Sequence, residues 1–382
     1  MDNLFQRLQN FTGSGQESLF LWGARQTGKS TLLKTLFPKA ILFDLLLPEE
    51  YEKLSKRPAI IREIVAASDK IDLIIIDEIQ RMPTLLNEVH WLIVNEGIRF
   101  ILSGSSSMKI LRSDVNLLGG RALRYELYPL VSPEIPDFNL LRALNNGLLP
   151  RHYLADNANR LLAAYIGNYL QDELIREAQI RNMNVFSKFL HAAAFSNGEM
   201  VNYSNIATDI GISAHTVKSY FQIMEETLIG RFVPVYQKKP QRRVIQAPKF
   251  YFFDVGIVNH LLKRGLIAEK SESFGHAFEH FIYQEIYAHS HYSGEDYSIS
   301  YWRTASQIEV DFILGENEVV LEVKSTDTVS SRHLRGIKAF MEEYTVKKSI
   351  IICTESSPRL VEGILILPWQ DFLNRLWSGQ II

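Results

Sequence analysis

Short apolar runs that end at polar residues recur in the first 130 residues of the chain. Ser18–Trp22 precedes a glycine-rich stretch, residues 71–76 precede two acids, and residues 98–102 precede SGSSS. Nearly continuous apolar runs of this length are typical of parallel strands that are covered on both faces. A helix-compatible segment, TLLKTLF, lies between the first run and the second. We therefore predict an α/β domain with a parallel sheet over residues 1–133.

The middle of the chain changes to helical periodicity. YPLVSPEIPD contains three prolines and predicts a boundary, after which residues 154–180 have apolar spacing typical of helices, so that we expect a helical lid over residues 134–184. Over residues 185–247 the pattern predicts a helix-turn-helix. Ile206 and Ala207 would pack inward, Gly211 would make the turn and Ser213 would cap the second helix. A β-hairpin after that helix would complete a winged helix-turn-helix.

Residues 248–382 combine a helix with a predicted hairpin. The helix spans FGHAFEHFIYQEIYAH, and the strands IEVDFIL and EVVLEVKS are joined by GEN, which suits a tight turn. If the turn centres between Glu316 and Asn317, the numbers of each facing pair sum to 633 and Asp311 faces Glu322. Lys324 then projects from the same face, because the strand period is two.

The glycine-rich stretch matches G-x-x-x-x-G-K-[ST] in the strand, loop and helix context that a phosphate-binding P-loop requires. Its backbone N–H groups and the following helix N-terminus are suited to phosphate. Lys29 would reach the β- and γ-phosphates, and the Ser30 hydroxyl would bind Mg²⁺. The predicted ATP-binding residues of this loop are Gly23, Ala24, Arg25, Gln26, Thr27, Gly28, Lys29, Ser30 and Thr31.

Three further positions extend this predicted site. Asp77 would hold Mg²⁺ through its water shell, and Glu78 would orient and deprotonate the attacking water. Ser103 follows another strand and would sense the γ-phosphate or hold the water, although serine-rich turns after strands also have purely local causes. Arg121 would act either as an arginine finger on a neighbouring subunit's nucleotide or as an ordinary surface arginine. The first alternative implies a ring or a stacked homo-oligomer.

GARQTGKST, IIIDEIQRMP, FILSGSSS and GGRALRYELYPL occur in this order. Together they resemble the AAA-type ATPase domain of prokaryotic proteins whose C-terminal half is an uncharacterised, restriction-endonuclease-like domain. The resemblance implies an additional strand between the two strands that carry the nucleotide motifs. It also implies that Glu78 is the catalytic base.

The C-terminal hairpin predicts a metal site. Asp311 and Glu322 would share Mg²⁺, Lys324 would stabilise charge or position water for phosphodiester hydrolysis, and Glu279 would complete the metal shell. The pattern is similar to the PD-(D/E)-x-K nuclease core, with one departure, since Val310 rather than proline precedes Asp311. Whether such a domain cleaves DNA or keeps the fold only for binding is open at this point.

Basic residues near the predicted wing indicate a DNA contact. QKKPQRRVIQAPK contains five Lys or Arg and no acid, the kind of patch that neutralises phosphates. The second helix of the helix-turn-helix offers one charged side chain, Lys218, to a major groove. The alternative is a protein interaction module with a solvated basic linker. The predicted DNA-contacting residues are Lys218, Lys238, Lys239, Arg242 and Arg243, and Lys249 ends the same basic run.

Composition narrows the classes of function. With 41 Lys and Arg against 43 Asp and Glu, the chain has a formal charge of -2, which argues against extensive coating of nucleic acid or membrane. Cys353 is the single cysteine, which excludes an intrachain disulfide, and the histidines are scattered without zinc spacing. We expect a cytoplasmic protein without a signal peptide or membrane segment.

Three functional hypotheses follow from the sequence. The first is an ATP-dependent DNA-processing enzyme with ATPase and nuclease activities. The second is a nucleotide-switched DNA-binding or scaffold protein in which the nuclease fold is a relic. The third is an ATP-driven remodeller of a partner protein, which requires only the first domain.

Overall fold

The computed structural model describes residues 5–11, 13–68, 71–105, 118–167, 180, 182–238 and 246–382. These residues form two compact units, the first built mainly from residues up to Pro129 and the second mainly from residues after it. In the described part of the chain, no helix is long and apolar enough to cross a bilayer. The boundaries that the sequence predicts between the four domains, at residues 133, 184 and 247, stay predictions.

The first unit is an α/β layer structure around a five-stranded parallel sheet. Its strands are β1 (Ser18–Trp22), β2 (Ile41–Asp44), β3 (Leu73–Asp77), β4 (Arg99–Gly104) and β5 (Ala122–Glu126). Its helices are α1 (Lys29–Leu36), α2 (Pro48–Lys56), α3 (Ile60–Ala66) and α4 (Leu85–Glu96). The sheet order is β2-β3-β4-β1-β5, and every pairing is parallel. The predicted parallel α/β fold of this region is confirmed.

The strand order places the chemistry at one edge of the sheet. β4 lies between β1, which leads into the P-loop, and β3, which ends in Asp77. This is the additional strand that the resemblance implied. Because the carboxyl ends of parallel strands meet at one edge, the residues that follow β1, β3 and β4 converge there. A core of fully buried aliphatic side chains, including Ile74, Ile76 and Leu102, holds this edge rigid.

The second unit begins with helices. They are α5 (Leu140–Asn146), α6 (Pro150–Leu154), α7 (Asn159–Ala164), α8 (Met183–Phe195), α9 (Tyr203–Ile210) and α10 (Ala214–Glu226). The predicted helix, turn and helix are observed as α9, Gly211 in the left-handed region (φ 72°) and α10. An antiparallel pair follows, β6 (Gly230–Val233) with β7 (Lys249–Phe252). The assignment of these elements to a winged-helix module stays a prediction, as does the lid role of the preceding helices.

The C-terminal part of this unit contains a six-stranded mixed sheet. Its helices are α11 (Val255–Leu261), α12 (Glu272–Tyr292), α13 (Arg335–Met341) and α14 (Trp369–Trp377). Its strands are β8 (Ile299–Arg303), β9 (Glu309–Leu314), β10 (Val319–Val323), β11 (Lys348–Cys353), β12 (Arg359–Val361) and β13 (Ile364–Pro368). The order is β12-β13-β11-β10-β9-β8. β8, β9 and β10 form an antiparallel meander, and β11 runs parallel to β10.

Candidate functional site

The P-loop connects β1 to α1 through backbone conformations that few residues adopt. Gln26 (φ 62°) and Gly28 (φ 97°) are both in the left-handed region, and the Thr27 hydroxyl donates to the Ala24 carbonyl at 2.8 Å. Gly23 is required for a different reason. A Cβ atom there would lie 2.4 Å from the Leu127 carbonyl oxygen, because the chain leaving β5 passes against the loop. The spacing of the two glycines therefore follows from turn geometry and close packing.

Lys29 lies inside this loop. Its side chain is almost fully buried, and its ammonium donates to the carbonyl oxygens of Gly23 at 2.7 Å and Ala24 at 3.2 Å. The lysine is the first residue of α1, whose N-terminal N–H groups point at the same space. A positive charge beside a helix N-terminus suits an anion such as phosphate.

Ser30 and Asp77 are brought together from separate elements. The Ser30 hydroxyl donates to Asp77 Oδ2 at 2.5 Å, and Asp77 itself is 3% exposed at the end of β3. A hydroxyl and a carboxylate oxygen are the hard ligands that Mg²⁺ prefers in proteins. These two residues therefore fit the metal that a P-loop domain uses.

Glu78 is a buried carboxylate beside them. Its backbone is in the left-handed region (φ 60°, ψ 40°), which turns the chain sharply after β3. Its side chain accepts a hydrogen bond from Gln80 Nε2 at 2.6 Å, and Arg25 Nη2 lies 3.9 Å away. Burial raises the pKa of Glu78 above its ordinary value, although Lys29 and Arg25 oppose that change.

The end of β4 supplies Ser103 to the same edge. Ser103 faces Asp77 in the parallel register of β3 and β4, and its side chain is fully buried. Among the residues that the structure describes, no hydrogen-bond partner is found for its hydroxyl. A sensing role for this hydroxyl stays a prediction.

Arg121 is exposed immediately before β5. Its Nη1 lies 3.5 Å from His90 Nε2 on the surface of α4. Exposure of the guanidinium is compatible with both interpretations of Arg121, as a finger or as a surface residue.

Two residues of this site carried no sequence signal. Arg7 donates to the carbonyl oxygens of Thr27 at 2.5 Å and Tyr128 at 2.7 Å, so that it braces the P-loop against the chain that follows β5. Gln80 joins Glu78 to Ser105, 3.0 Å from its Nε2. Both contacts depend on chain segments that are far apart in sequence, which local pattern does not reveal.

The predicted register of the C-terminal hairpin is observed. The facing pairs are Leu314 with Val319, Ile313 with Val320 and Phe312 with Leu321, each of which sums to 633. Beyond the last backbone pair, a side chain continues the hydrogen bonding between the two strands: Asp311 Oδ2 accepts from the Val323 N–H at 2.8 Å.

Asp311 and Glu322 both form ion pairs with one lysine, Lys324. Lys324 Nζ lies 2.6 Å from Glu322 Oε1 and 3.6 Å from Asp311 Oδ2. Burial and the nearby Asp311 charge raise the pKa of Glu322 to about 8. Its other oxygen, Oε2, is buried and has no hydrogen-bond partner in the described part of the chain. Two carboxylates with an unpartnered oxygen form a pair of hard ligands.

Glu279 forms an ion pair with a different lysine, Lys249. It accepts from the Tyr251 hydroxyl at 2.6 Å, and Lys249 Nζ lies 3.5 Å from it and 2.6 Å from Glu309. Within the described ranges, no group of three or more His, Cys, Asp or Glu side chains is arranged to hold a metal ion. The set Glu279, Asp311 and Glu322 is therefore divided between two lysines, and a shared metal stays a prediction.

Lys249, the last residue of the basic run, does not lie on the surface. Lys249 is 2% exposed, because as the first residue of β7 it is drawn inward by Glu279 and Glu309. Lys238 is exposed but pairs with Glu316 at 2.9 Å, and Lys218 is exposed on α10. Lys239, Arg242 and Arg243 lie outside the described residues. DNA contact by this region stays a prediction.

Three models of protein domains match successive parts of the chain. Residues 15–135 match the model of an AAA domain. Residues 138–266 and 274–372 match two domains of unknown function, DUF8612 and DUF4143. No match is found among curated proteins.

Two solved structures are similar to the chain at low TM-scores. One is a Signal Transduction ATPase with Numerous Domains (STAND) protein with a tetratricopeptide repeat sensor from Pyrococcus horikoshii, 14% identical, with a TM-score of 0.23. The match covers 73% of this chain and 49% of that one, so the chain spans about half the length of that relative. The other is domain III of the Thermotoga maritima replication initiation protein DnaA, 12% identical, covering 55% and 84% of the two chains, with a TM-score of 0.24.

The structural likeness supports no conclusion of its own at these TM-scores. The match to the AAA domain does support a conclusion about the fold of this region, because it spans the parallel sheet, the P-loop and the acidic end of β3. Residues 15–135 are therefore similar to AAA-type P-loop ATPase domains.

Proposed function

We propose that the first unit binds ATP with Mg²⁺ and hydrolyses it. The observation that supports this proposal best is the 2.5 Å hydrogen bond between Ser30 and Asp77, beside Lys29 and Glu78. Two motifs that lie 47 residues apart thereby meet at the end of one sheet. A structural P-loop-like turn would not require that meeting.

Each residue has a distinct role in the proposed reaction. The loop N–H groups and Lys29 hold the phosphates. Ser30 and Asp77 would hold Mg²⁺, which neutralises phosphate charge when it is bound. Glu78 accepts a proton from the attacking water while the water oxygen bonds to the γ-phosphorus and the bond to the ADP oxygen breaks.

Substitution of Lys29 tests this function. Lys29→Ala should abolish ATP turnover and nucleotide binding, because it removes the charge that faces the phosphates. Glu78→Gln should keep binding and lower kcat by roughly 10²- to 10⁴-fold, as expected for a lost general base. Lys34→Ala, on the same helix but exposed, is the matched control and should behave like the wild type. Phosphate release from Lys29→Ala at the wild-type rate would refute the proposal.

We further propose that the second unit acts on DNA, with Asp311, Glu322 and Lys324 as a metal-dependent nuclease site. The proposal is supported by the pairing of Phe312–Leu314 with Val319–Leu321 and by the 2.6 Å contact between Lys324 and Glu322. Asp311 and Glu322 are oxygen donors that fit Mg²⁺, and Glu279 is the third carboxylate nearby. The order helix α12, meander β8 to β10, helix α13 and parallel strand β11 is suited to present them together.

A cleavage assay separates this proposal from its alternatives. Linear, single-stranded and branched DNA would be incubated with Mg²⁺ or Mn²⁺, with and without ATP. We expect cleavage that is lost in Asp311→Asn and kept in Asp327→Asn, an exposed acid paired with Lys270. If no substrate is cut while DNA stimulates ATP turnover, the protein is a nucleotide-switched DNA-binding or scaffold protein. If DNA has no effect at all, remodelling of a partner protein is favoured.

A further inference from the structure

Gln80 occupies a buried position between two strand ends of the first unit. It lies in the short 3-10 turn Ile79–Arg81 that follows Glu78, and its side chain is 2% exposed. Its amide nitrogen is 2.6 Å from Glu78 Oε2 and 3.0 Å from the Ser105 hydroxyl oxygen. An amide NH₂ has two N–H donors, and each of them meets one acceptor here. One nitrogen therefore joins the end of β3 to the end of β4.

The space around this amide is fitted to it. A Cβ atom at Gly104 would lie 2.3 Å from Gln80 Oε1 and 2.6 Å from the Trp22 ring. Gly104 is in a strand and not in the left-handed region, so the reason for glycine is close approach rather than backbone conformation. Any larger residue at position 104 would push the amide away from both acceptors.

Glu78 depends on such a contact for its orientation. Its left-handed backbone belongs to neither the strand nor a helix, so neither element fixes the direction of its side chain. The Arg25 guanidinium is 3.9 Å from the carboxylate, beyond hydrogen-bond distance, whereas the Gln80 bond is short at 2.6 Å. Hydrogen bonds to a charged group are also the stronger kind.

We infer that Gln80 is a positioning residue, which orients the Glu78 carboxylate and links it to Ser105 at the end of β4. The inference rests on the proposed ATP hydrolysis and deepens it. Through these two hydrogen bonds the amide holds the carboxylate of Glu78 in a fixed relation to the strand that contains Ser103.

Substitutions of Gln80 test this inference through the split between kcat and KM. Gln80→Glu is nearly isosteric but removes both donors, and Gln80→Ala removes the whole amide. We expect each to lower kcat about 10- to 100-fold, the usual effect of losing a residue that orients a catalytic group. KM for ATP and the affinity for a fluorescent ATP analogue should change less than about threefold, since the hydrogen bonds of the Gln80 side chain in the described residues go to Glu78 and Ser105 and not to the P-loop. Thermal melts would establish that each variant is folded.

Double variants report whether Gln80 acts through its two partners. If it acts through Glu78, Gln80→Ala should slow Glu78→Gln no further, because effects within one unit are not additive. Ser105→Ala should lower kcat and should likewise add nothing to Gln80→Ala.

Arg81→Ala is the matched control. Arg81 lies in the same turn, and its side chain donates to the Leu45 carbonyl at 2.5 Å and packs over the Tyr51 ring. Its backbone N–H donates to the Glu78 carbonyl at 2.9 Å, a bond that alanine would keep. It should keep kcat within about twofold, as expected for a substitution outside the reaction site. An equal loss in Arg81→Ala would assign the effect to the turn as a whole and overturn the inference.

The possible outcomes distinguish a failure of the inference about Gln80 from a failure of the proposed ATP hydrolysis. If the wild type turns over ATP in a Lys29-dependent way and the Gln80 variants keep the wild-type kcat, the inference alone is overturned. If the wild type shows no turnover, the proposed function fails and the inference fails with it. A selective loss of kcat in Gln80→Glu and Gln80→Ala supports both.

Discussion

Glu285 is a fully buried carboxyl in the second unit, held by uncharged donors. Its two oxygens accept from the Ser132 N–H at 2.7 Å, the Ser132 hydroxyl at 2.9 Å and the Trp377 indole N–H at 2.7 Å. Burial raises the pKa of Glu285 from 4.5 to about 7 in spite of these bonds, and the nearby Glu134 adds to that rise. At this residue the cost of removing charge from water exceeds the gain from hydrogen bonding.

This raised pKa makes stability depend on pH. Between about pH 4.5 and 7 the folded protein holds a proton at Glu285 that the unfolded chain has released, so the stability contributed by Glu285 falls as the pH rises. The contribution amounts to at most about 3 kcal/mol. We expect the difference in unfolding free energy between wild type and Glu285→Gln to be larger at pH 5 than at pH 8, as measured by urea denaturation. The exposed control Glu295→Gln should show no such trend, and a difference that grows with pH would contradict the prediction.

At the scale of elements, helix α13 packs directly onto strand β9 through a glycine. A Cβ atom at Gly336 would lie 2.0 Å from the Glu309 carbonyl oxygen and 3.6 Å from Glu322 Oε2. This approach holds the strand that contains Asp311 against the helix, while the β9 to β10 register sets the position of Glu322. The packing of one helix thus supports the whole carboxylate pair.

Gly336→Ala should destabilise the protein by about 1–3 kcal/mol, the usual cost of overpacking. Alanine is the better helix former and would by itself stabilise the helix by up to about 1 kcal/mol. A measured destabilisation would therefore mean that the cost of overpacking is larger than this gain. The measurement is urea denaturation, followed by the tertiary signal of the second unit. Gly265→Ala, where a Cβ meets open space, is the control and should stay within about 0.5 kcal/mol. Equal stability of the two variants would refute the close-packing argument.

At the scale of the whole molecule, the two units carry different candidate chemistry. The P-loop, Asp77 and Glu78 all belong to the first unit, whereas Glu279, Asp311 and Glu322 belong to the second. The formal charge of -2 does not favour nucleic acid binding over the entire surface. Any binding of DNA must therefore be local to one face.

This division predicts a selective effect of nucleotide on unfolding. ATP with Mg²⁺ at 100 times its Kd should stabilise the first unit by about 2.7 kcal/mol, because ligand binds only the folded form. In a calorimetric scan, a transition assigned to the first unit should move upward while a second transition stays in place. Lys29→Ala should abolish the shift. An equal shift of every transition in wild type would show that the two units unfold as one.

Local pattern was sufficient to predict strands β1, β3, β4, β9 and β10, the P-loop motif and the pairing of β9 with β10. Apolar runs that end at acids identify β3, and the GEN turn fixes the pairing sum of 633 because strand register follows from turn position. The left-handed backbone at Gly28 likewise agrees with the second glycine of the motif, whereas the left-handed Gln26 had no glycine to mark it. Each of these features depends on residues that are close together in the chain.

Side-chain partners over long distances were decided only by the tertiary structure. Arg7 reaches the P-loop over 20 residues, Gln80 reaches Ser105 over 25, and Lys249 is turned inward by Glu279 and Glu309. In sequence, Lys249 looks like the last residue of a basic surface run. Whether a charged side chain is exposed or buried depends on which distant carboxylates surround it, and that is set by packing of the whole fold. The sequence by itself therefore determined the elements and the motifs, and the tertiary structure decided how their charged groups are paired.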